Sequence, residues 1–198
     1  MFRHTKDGGV SVWLSPGEAT MLRTLVIPVL DLLGETGAQA SVPGGGADDI
    51  DRLLADAFEA AEAADAEASG DEKPPRAPDD PVLARLLPDA YQDDPAAAGE
   101  FRKYTESSLR EAKRYFAHSL LDSLPPSGGR VKLTGDQARD WLRALNDVRL
   151  MFGVRLEVTE EFEEQLDALD PNDPRADEFE VYRWVSAVQE SLVRALGR

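Results

Sequence analysis

The side chains that could carry chemistry in this 198-residue chain are few, and their spacing argues against a catalytic site. There are two histidines, His4 and His118. Neither stands in a metal-ligand spacing of the His-Glu-x-x-His kind, so surface or packing roles are expected. There is no cysteine, which excludes disulfides, thiolate zinc sites, cysteine nucleophiles and thiol-based redox sensing within the chain. Asp48-Asp49-Ile50-Asp51 and Glu160-Glu161-Phe162-Glu163-Glu164 could attract divalent cations. Consecutive carboxylates on a helix point in several directions, however, and neither run has the glycine and spacing of an EF-hand loop. Solvated charge is the simpler reading. Gly44-Gly45-Gly46 lacks the Lys-Ser/Thr of a P-loop, and no Gly-x-Ser-x-Gly elbow occurs. No catalytic residue, metal ligand or cofactor-binding residue is assigned. A metal-dependent hydrolase built on clustered carboxylates is the alternative from the enzyme class.

Polar residues inside amphipathic stretches say more. On a wheel of residues 136–152, Val148, Trp141, Phe152, Leu145, Ala138 and Leu142 form one apolar arc, with Arg149 inside it and Asn146 beside Leu142. A guanidinium on a core-facing stripe must be paired or must reach an edge. Arg143, Asn146, Asp147, Arg149, Gln189 and Glu190 are therefore the candidate polar network, either structural or partner-binding. Arg149 is expected to meet a carboxylate or several carbonyls, with Asp147, Glu157, Gln189 and Glu190 as candidates. It would tie its helix to the C-terminal helix or to the turn after Gly153. On residues 94–124, Arg102, Lys103, Arg110, Lys113 and Arg114 fall on one face. Phe101, Tyr104, Ser108, Ala112, Tyr115, Phe116 and Ser119 fall on the opposite one. The basic face is either solvated and satisfied by the protein's own acidic segments, or a docking face that an acidic segment covers or uncovers.

Those residues need elements to position them. Alternating runs at 2–6 and 10–14 flank Asp7-Gly8-Gly9, a strong hairpin signal. Ser15-Pro16-Gly17-Glu18 reads as a capping box opening a helix to about residue 33, with Pro28 as a kink point. Residues 38–80 read as a flexible acidic insertion or linker, containing Pro43-Gly44-Gly45-Gly46, a helix-prone stretch over 48–68 and three further prolines. A short helix is expected over 81–87, and a long one from the Asp94-Pro95 cap to about 124. Residues 129–133 read as a strand, and Thr134 to Gln137 as a second capping box. Its helix should end near Phe152 at Gly153. An acidic helix over 159–169 and a C-terminal helix from Pro174 to about 196 complete the chain. Residues 12–19 echo residues 131–138, which suggests a pseudo-two-fold pair of strand-cap-helix units with the third strand added to the hairpin. The fold class is mainly α (α+β): one domain over 1–198, with a hairpin plus a short third strand packed against four or five helices.

Charge bounds the partners. The net charge is −16, which opposes direct nucleic-acid binding and favours a basic protein partner. Residues 47–80 hold 12 acids and 3 bases, and residues 157–180 hold 11 acids and 1 base, so the rest of the chain is slightly basic. The apolar stretch 25–33 contains Pro28 and Asp31 and is too short to span a bilayer. The N-terminus has no apolar signal region, so the cytoplasm is the expected compartment. Homo-oligomer formation is left open.

Three stretches together resemble a known family. They are Asp80-Pro81-Val82-Leu83-Ala84-Arg85-Leu86-Leu87-Pro88-Asp89-Ala90-Tyr91, then Trp141-Leu142-Arg143-Ala144-Leu145-Asn146-Asp147-Val148-Arg149-Leu150, then Trp184 with Gln189-Glu190-Ser191-Leu192-Val193. With the hairpin and Leu14-Ser15-Pro16, they are similar to the actinobacterial AosR-like family of oxidative-stress regulators, whose genes commonly lie near the Clp-protease adaptor ClpS. The resemblance covers all but about residues 38–78. It implies a non-enzymatic regulator acting through the transcription machinery, such as a sigma factor. A proteolysis-linked adaptor is the alternative that the gene neighbourhood implies. Redox sensing of that regulator type rests on a cysteine pair, which this chain lacks, so a disulfide switch is not carried over.

Overall fold

A computed structural model describes residues 1–34, 78–91, 93–167, 169–170 and 173–197. Nearly all of the expected 38–80 insertion, with the helix expected over 48–68, lies outside the described residues. Strands β1 (Arg3–His4), β2 (Val10–Leu14) and β3 (Gly129–Leu133) form one antiparallel sheet in the order β1-β2-β3. Helices α1 (Pro16–Leu32), α2 (Pro81–Leu86), α3 (Pro95–Ser123), α4 (Gly135–Arg155), α5 (Phe162–Asp167) and α6 (Ala176–Leu196) account for the α part. The chain is thus mainly α with a small sheet, as the sequence predicts. Among the described residues, no helix is long and apolar enough to cross a membrane.

The sheet carries the sequence echo into three dimensions. Val12 pairs with Val131, and the register runs symmetrically outward from that pair, through Trp13 with Arg130 and Ser11 with Lys132. These are the two residues that the echo equates, so a local two-fold axis between them relates the two strands. Each strand then turns into a helix through a completed capping box. Ser15 Oγ accepts from the Glu18 N–H at 3.2 Å, and the Glu18 carboxylate accepts from the Ser15 N–H at 2.7 Å. That backbone hydrogen bond holds the Glu18 carboxyl below its ordinary range. Thr134 and Gln137 make the same reciprocal pair at 3.2 and 3.0 Å.

Two glycines are fixed by close approach. A Cβ at Gly9 would stand 2.3 Å from the Leu133 carbonyl oxygen, and one at Gly128 only 2.6 Å from the backbone of Ser15 and Pro16. The inner sheet face, with Val10, Val12, Leu14, Val131 and Leu133, is buried. It contributes to one core with Leu22 and Val26 of α1, Leu86 of α2, Phe116 and Leu120 of α3, and Leu192 of α6. At the centre is α4, which packs on α3, α6, α2 and α1. Its Trp141 is fully buried, meets Phe2 edge to face at 5.9 Å and donates from Nε1 to Ser123 Oγ at 2.7 Å.

Four expected boundaries move. The first hairpin strand is only Arg3–His4, because Thr5 already belongs to the turn, bonding Gly8 and Gly9 at 3.1 and 2.9 Å. Helix α4 continues through Gly153 to Arg155. The acidic helix shrinks from 159–169 to Phe162–Asp167. The C-terminal helix starts at Ala176 rather than at Pro174. Asp173 explains that last shift: its carboxylate accepts from the Arg175 N–H and guanidinium, making a turn of the residues around Pro174.

Candidate interaction site around helix α4

Helix α4 is polar on two of its packed sides. Toward α3, an antiparallel ladder of three contacts joins residues spaced about a helical turn apart. Lys113 Nζ donates to Asp147 Oδ1 at 2.6 Å. The Arg143 guanidinium lies over the Phe116 ring at 4.8 Å. Ser119 Oγ donates to Asp140 Oδ2 at 2.9 Å, and the neighbouring Trp141 adds its bond to Ser123, one turn further along α3. Asp140 and Asp147 are 1% and 3% exposed, so both carboxylates sit within the packed interface. Burial pushes the Asp147 carboxyl above its ordinary range, more than Lys113 pulls it back.

Toward α6 the arrangement differs. Arg149 is half-buried and is met by neutral groups: Nε donates to Ser186 Oγ at 3.0 Å and Nη1 to Gln189 Oε1 at 2.8 Å. The Tyr182 ring lies 5.7 Å from the guanidinium carbon. Gln189 in turn donates to the Leu142 carbonyl at 3.5 Å. Arg149 does tie α4 to the C-terminal helix, but through hydroxyl, amide and ring rather than carboxylate. Of the three carboxylates expected for it, Asp147 is engaged by Lys113 and Glu190 by Arg194, and Glu157 lies in the turn beyond the end of α4.

Between the two seams a groove opens over Asn146, which is exposed. One recess of about 390 Å³ is lined by Lys113, Arg143, Asn146, Asp147 and Gln189 with apolar neighbours. A second, of about 420 Å³, is lined by Arg85, Asn146, Arg149 and Tyr182 among others. Five of the six residues expected in the polar network therefore line two recesses that share Asn146. Glu190 is the exception: it lines a separate recess beside the N-terminus, with Arg3 and His4.

The five cations expected on one face of α3 are divided by the fold. Arg102 is 5% exposed and is held by the Leu87 carbonyl at 3.1 Å, Asp89 at 2.5 Å and Glu106 at 2.8 Å. Burial raises the Glu106 carboxyl, but hydrogen bonds from Arg102 and Arg110 outweigh it and leave Glu106 below its ordinary range. Lys113 enters the α4 interface, and Arg114 donates to the Leu33 carbonyl at 3.2 Å. Only Lys103 is exposed. A single wheel assumes one neighbour along the whole helix. Here the 29-residue α3 meets the end of α2 with its first turns and α4 further on, so its buried stripe changes direction.

Asp140 is the residue that sequence reading missed. Its signal was its position seven residues before Asp147, on the same side of the helix. His4 and His118 remain on separate elements, β1 and α3. Among the described residues, no three His, Asp or Glu side chains gather in a group that could hold a metal.

Comparison with known proteins gives this arrangement its kin. The proteins named "Oxidative stress regulator AosR" from Mycobacterium tuberculosis and Mycobacterium bovis are 41% identical over 132 residues, which covers 60% of this chain and 59% of theirs. The "Putative oxidative stress regulator AosR" of Mycobacterium leprae is 42% identical over 132 residues, with the same coverage. The chain thus spans 59% of the length of these relatives. No solved structure matches. The family described as "Domain of unknown function (DUF2017)" matches residues 1–196, and the chain belongs to that family.

Proposed function

We propose that this chain is a non-enzymatic, cytoplasmic regulatory module of the oxidative-stress response, acting by protein contact on the transcription machinery, with a sigma factor as its partner. The observation that carries the reading is the 41% identity to proteins named as oxidative stress regulators. The groove adds a physical argument. Lys113, Asp147 and Arg149 in its lining are already bonded across to neighbouring helices, so they fix the packing of α3, α4 and α6 instead of standing ready for a substrate. Contact with protein rather than nucleic acid follows from the net charge of −16. With no cysteine in the chain, regulation here works without a thiol switch of its own.

The test has two arms. Deleting the gene in the native host should change the set of transcripts induced by peroxide, and the full chain should restore it. Purified chain mixed with each sigma factor of that host should co-migrate with one of them on size exclusion. An unchanged peroxide response rejects the regulatory role. A changed response without a sigma-factor complex rejects the partner.

A further inference from the structure

The outer face of the sheet is chemically unlike the rest of the chain. Side chains alternate along a strand, so with Val10, Val12, Leu14, Val131 and Leu133 buried, Ser11, Trp13, Arg130 and Lys132 point outward. The register sets Trp13 beside Arg130, and Ser11 between Arg3 and Lys132. Trp13 is 70% exposed, and Arg3, Arg130 and Lys132 are exposed as well. None of the strand residues is acidic, in a chain with 38 acids against 22 Lys and Arg. Among the described residues, none of these three cations forms an ion pair, unlike the exposed Arg139, Arg183 and Arg194 of α4 and α6, though the exposed Arg155 at the end of α4 lacks one too.

We propose that this face is a docking surface for an acidic segment of a partner protein. The inference rests on the protein-contact reading above and supplies its surface. An exposed tryptophan beside Arg130, with Lys132 and Arg3 further along the same face, has the composition of a binding hot spot, a large rigid apolar anchor with cations near it. Charge complementarity selects the occupant. Three uncompensated cations on a rigid sheet steer and orient carboxylates, while the tryptophan packs on an apolar side chain between them. A second copy laid on the same face would set these cations against themselves. A nucleic acid would meet three cations and be repelled by the remainder of a chain of net charge −16.

The test places a photocrosslinker on the face. The full chain carrying Trp13→p-benzoylphenylalanine is irradiated in the native host, beside Met21→p-benzoylphenylalanine on the exposed side of α1 as control. The expected result is a crosslink from position 13, absent from position 21, whose peptide maps to a segment of net negative charge in another protein. Reversing Arg130→Glu and Lys132→Glu should reduce that crosslink about tenfold or more, with the thermal midpoint close to that of the parent chain. A crosslink to nucleic acid, to a second copy of this chain or to a neutral or basic segment overturns the proposal. So does a yield no greater than at position 21, or one that survives the charge reversal. The charge-reversed chain also separates the two readings. If it restores the peroxide response and still co-migrates with the same partner, the surface is wrong and the regulatory role stands. If the deletion leaves the peroxide response unchanged, the regulatory role falls whatever crosslinks form.

Discussion

The two polar seams of α4 solve one problem in different ways. Toward α3, a carboxylate that is 3% exposed is met by an ammonium at 2.6 Å. Toward α6, a half-buried guanidinium is met by a hydroxyl, an amide oxygen and a ring. The difference follows from solvent access. Deep in an interface a carboxylate loses its water, and neutral dipoles compensate that loss poorly, so an opposite charge is needed; Asp140 likewise has the Arg143 guanidinium at 4.0 Å beside its bond from Ser119. At the open side of α6 the guanidinium keeps part of its hydration, and well-placed dipoles suffice. The lesson is that the α3 seam depends on charge balance, whereas the α6 seam depends on shape and hydrogen-bond geometry.

The strongest way to break this contrast is to remove the cation from the α3 seam. Lys113→Met leaves Asp147 buried without its counter-charge and is expected to destabilise the chain by about 3–5 kcal/mol near pH 7.5, read from urea unfolding. The sign of the pH dependence is part of the expectation. The Asp147 carboxyl is already raised by burial, so its contribution to stability is fullest when it is protonated and falls as pH rises through its folded pKa. Losing Lys113 raises that pKa further, so the deficit of the variant should shrink as pH is lowered from 7.5 toward 5. The double change Lys113→Met with Asp147→Leu removes both charges and should recover most of the loss, because an apolar pair of similar volume substitutes well for a buried ion pair. A deficit that is flat with pH would show that Lys113 acts by packing alone.

The α6 seam should respond less. Arg149→Ala removes two hydrogen bonds from a charged donor, but Ser186 and Gln189 lie near enough to the groove to find water. About 1–2 kcal/mol is expected, with little change between pH 5 and 8. Arg149→Lys should recover only part of it, since an ammonium cannot reproduce the planar fork that reaches Ser186 and Gln189 together. If Arg149→Ala proves as damaging as Lys113→Met, the guanidinium is more desolvated than the α6 geometry implies, and the contrast between the seams fails.

How much of this was legible from the sequence depends on how local each signal is. Both capping boxes, the hairpin turn and the third strand depend on neighbouring residues, and each is found where its residues lie. The tie from Arg149 to the C-terminal helix was legible too, because a charge inside an apolar arc must be answered from across the interface. Its partners were not, because sequence gives no measure of how much water reaches the site. Arg102 shows the same limit in reverse. It looked like one member of a solvated face and is buried, since the covering groups, Leu87 and Asp89, come from a different element.

The smallest expected effect concerns the end of α4, where the sequence misled through a residue type. Gly153 looked like a helix stop, yet it lies inside the helix, where its bare Cα faces Tyr182 of the α6 seam. The helix actually ends two residues later at Arg155, with Leu156 as its cap and Glu157 beyond it in the left-handed region at φ 52°. There the Val158 N–H reaches back to the Gly153 carbonyl at 2.9 Å and the Glu157 N–H to Val154 at 3.3 Å, a Schellman closure around a non-glycine residue. Left-handed backbone costs a side-chain-bearing residue about 1–2 kcal/mol, and Glu157→Gly should return part of that, a gain of roughly 0.5–1 kcal/mol. A Cβ at Gly153 would sit 4.0 Å from the Tyr182 ring, ordinary van der Waals contact, so Gly153→Ala should gain a similar amount from helix propensity. The two sites share the closing hydrogen bond, so their gains are expected to add only approximately. Urea midpoints of the two single variants and the double variant decide it. A loss at Gly153→Ala would mean that the α6 seam is closed too tightly for a methyl group, and shape would then govern that side of α4 more strictly than the hydrogen bonds of Arg149 do.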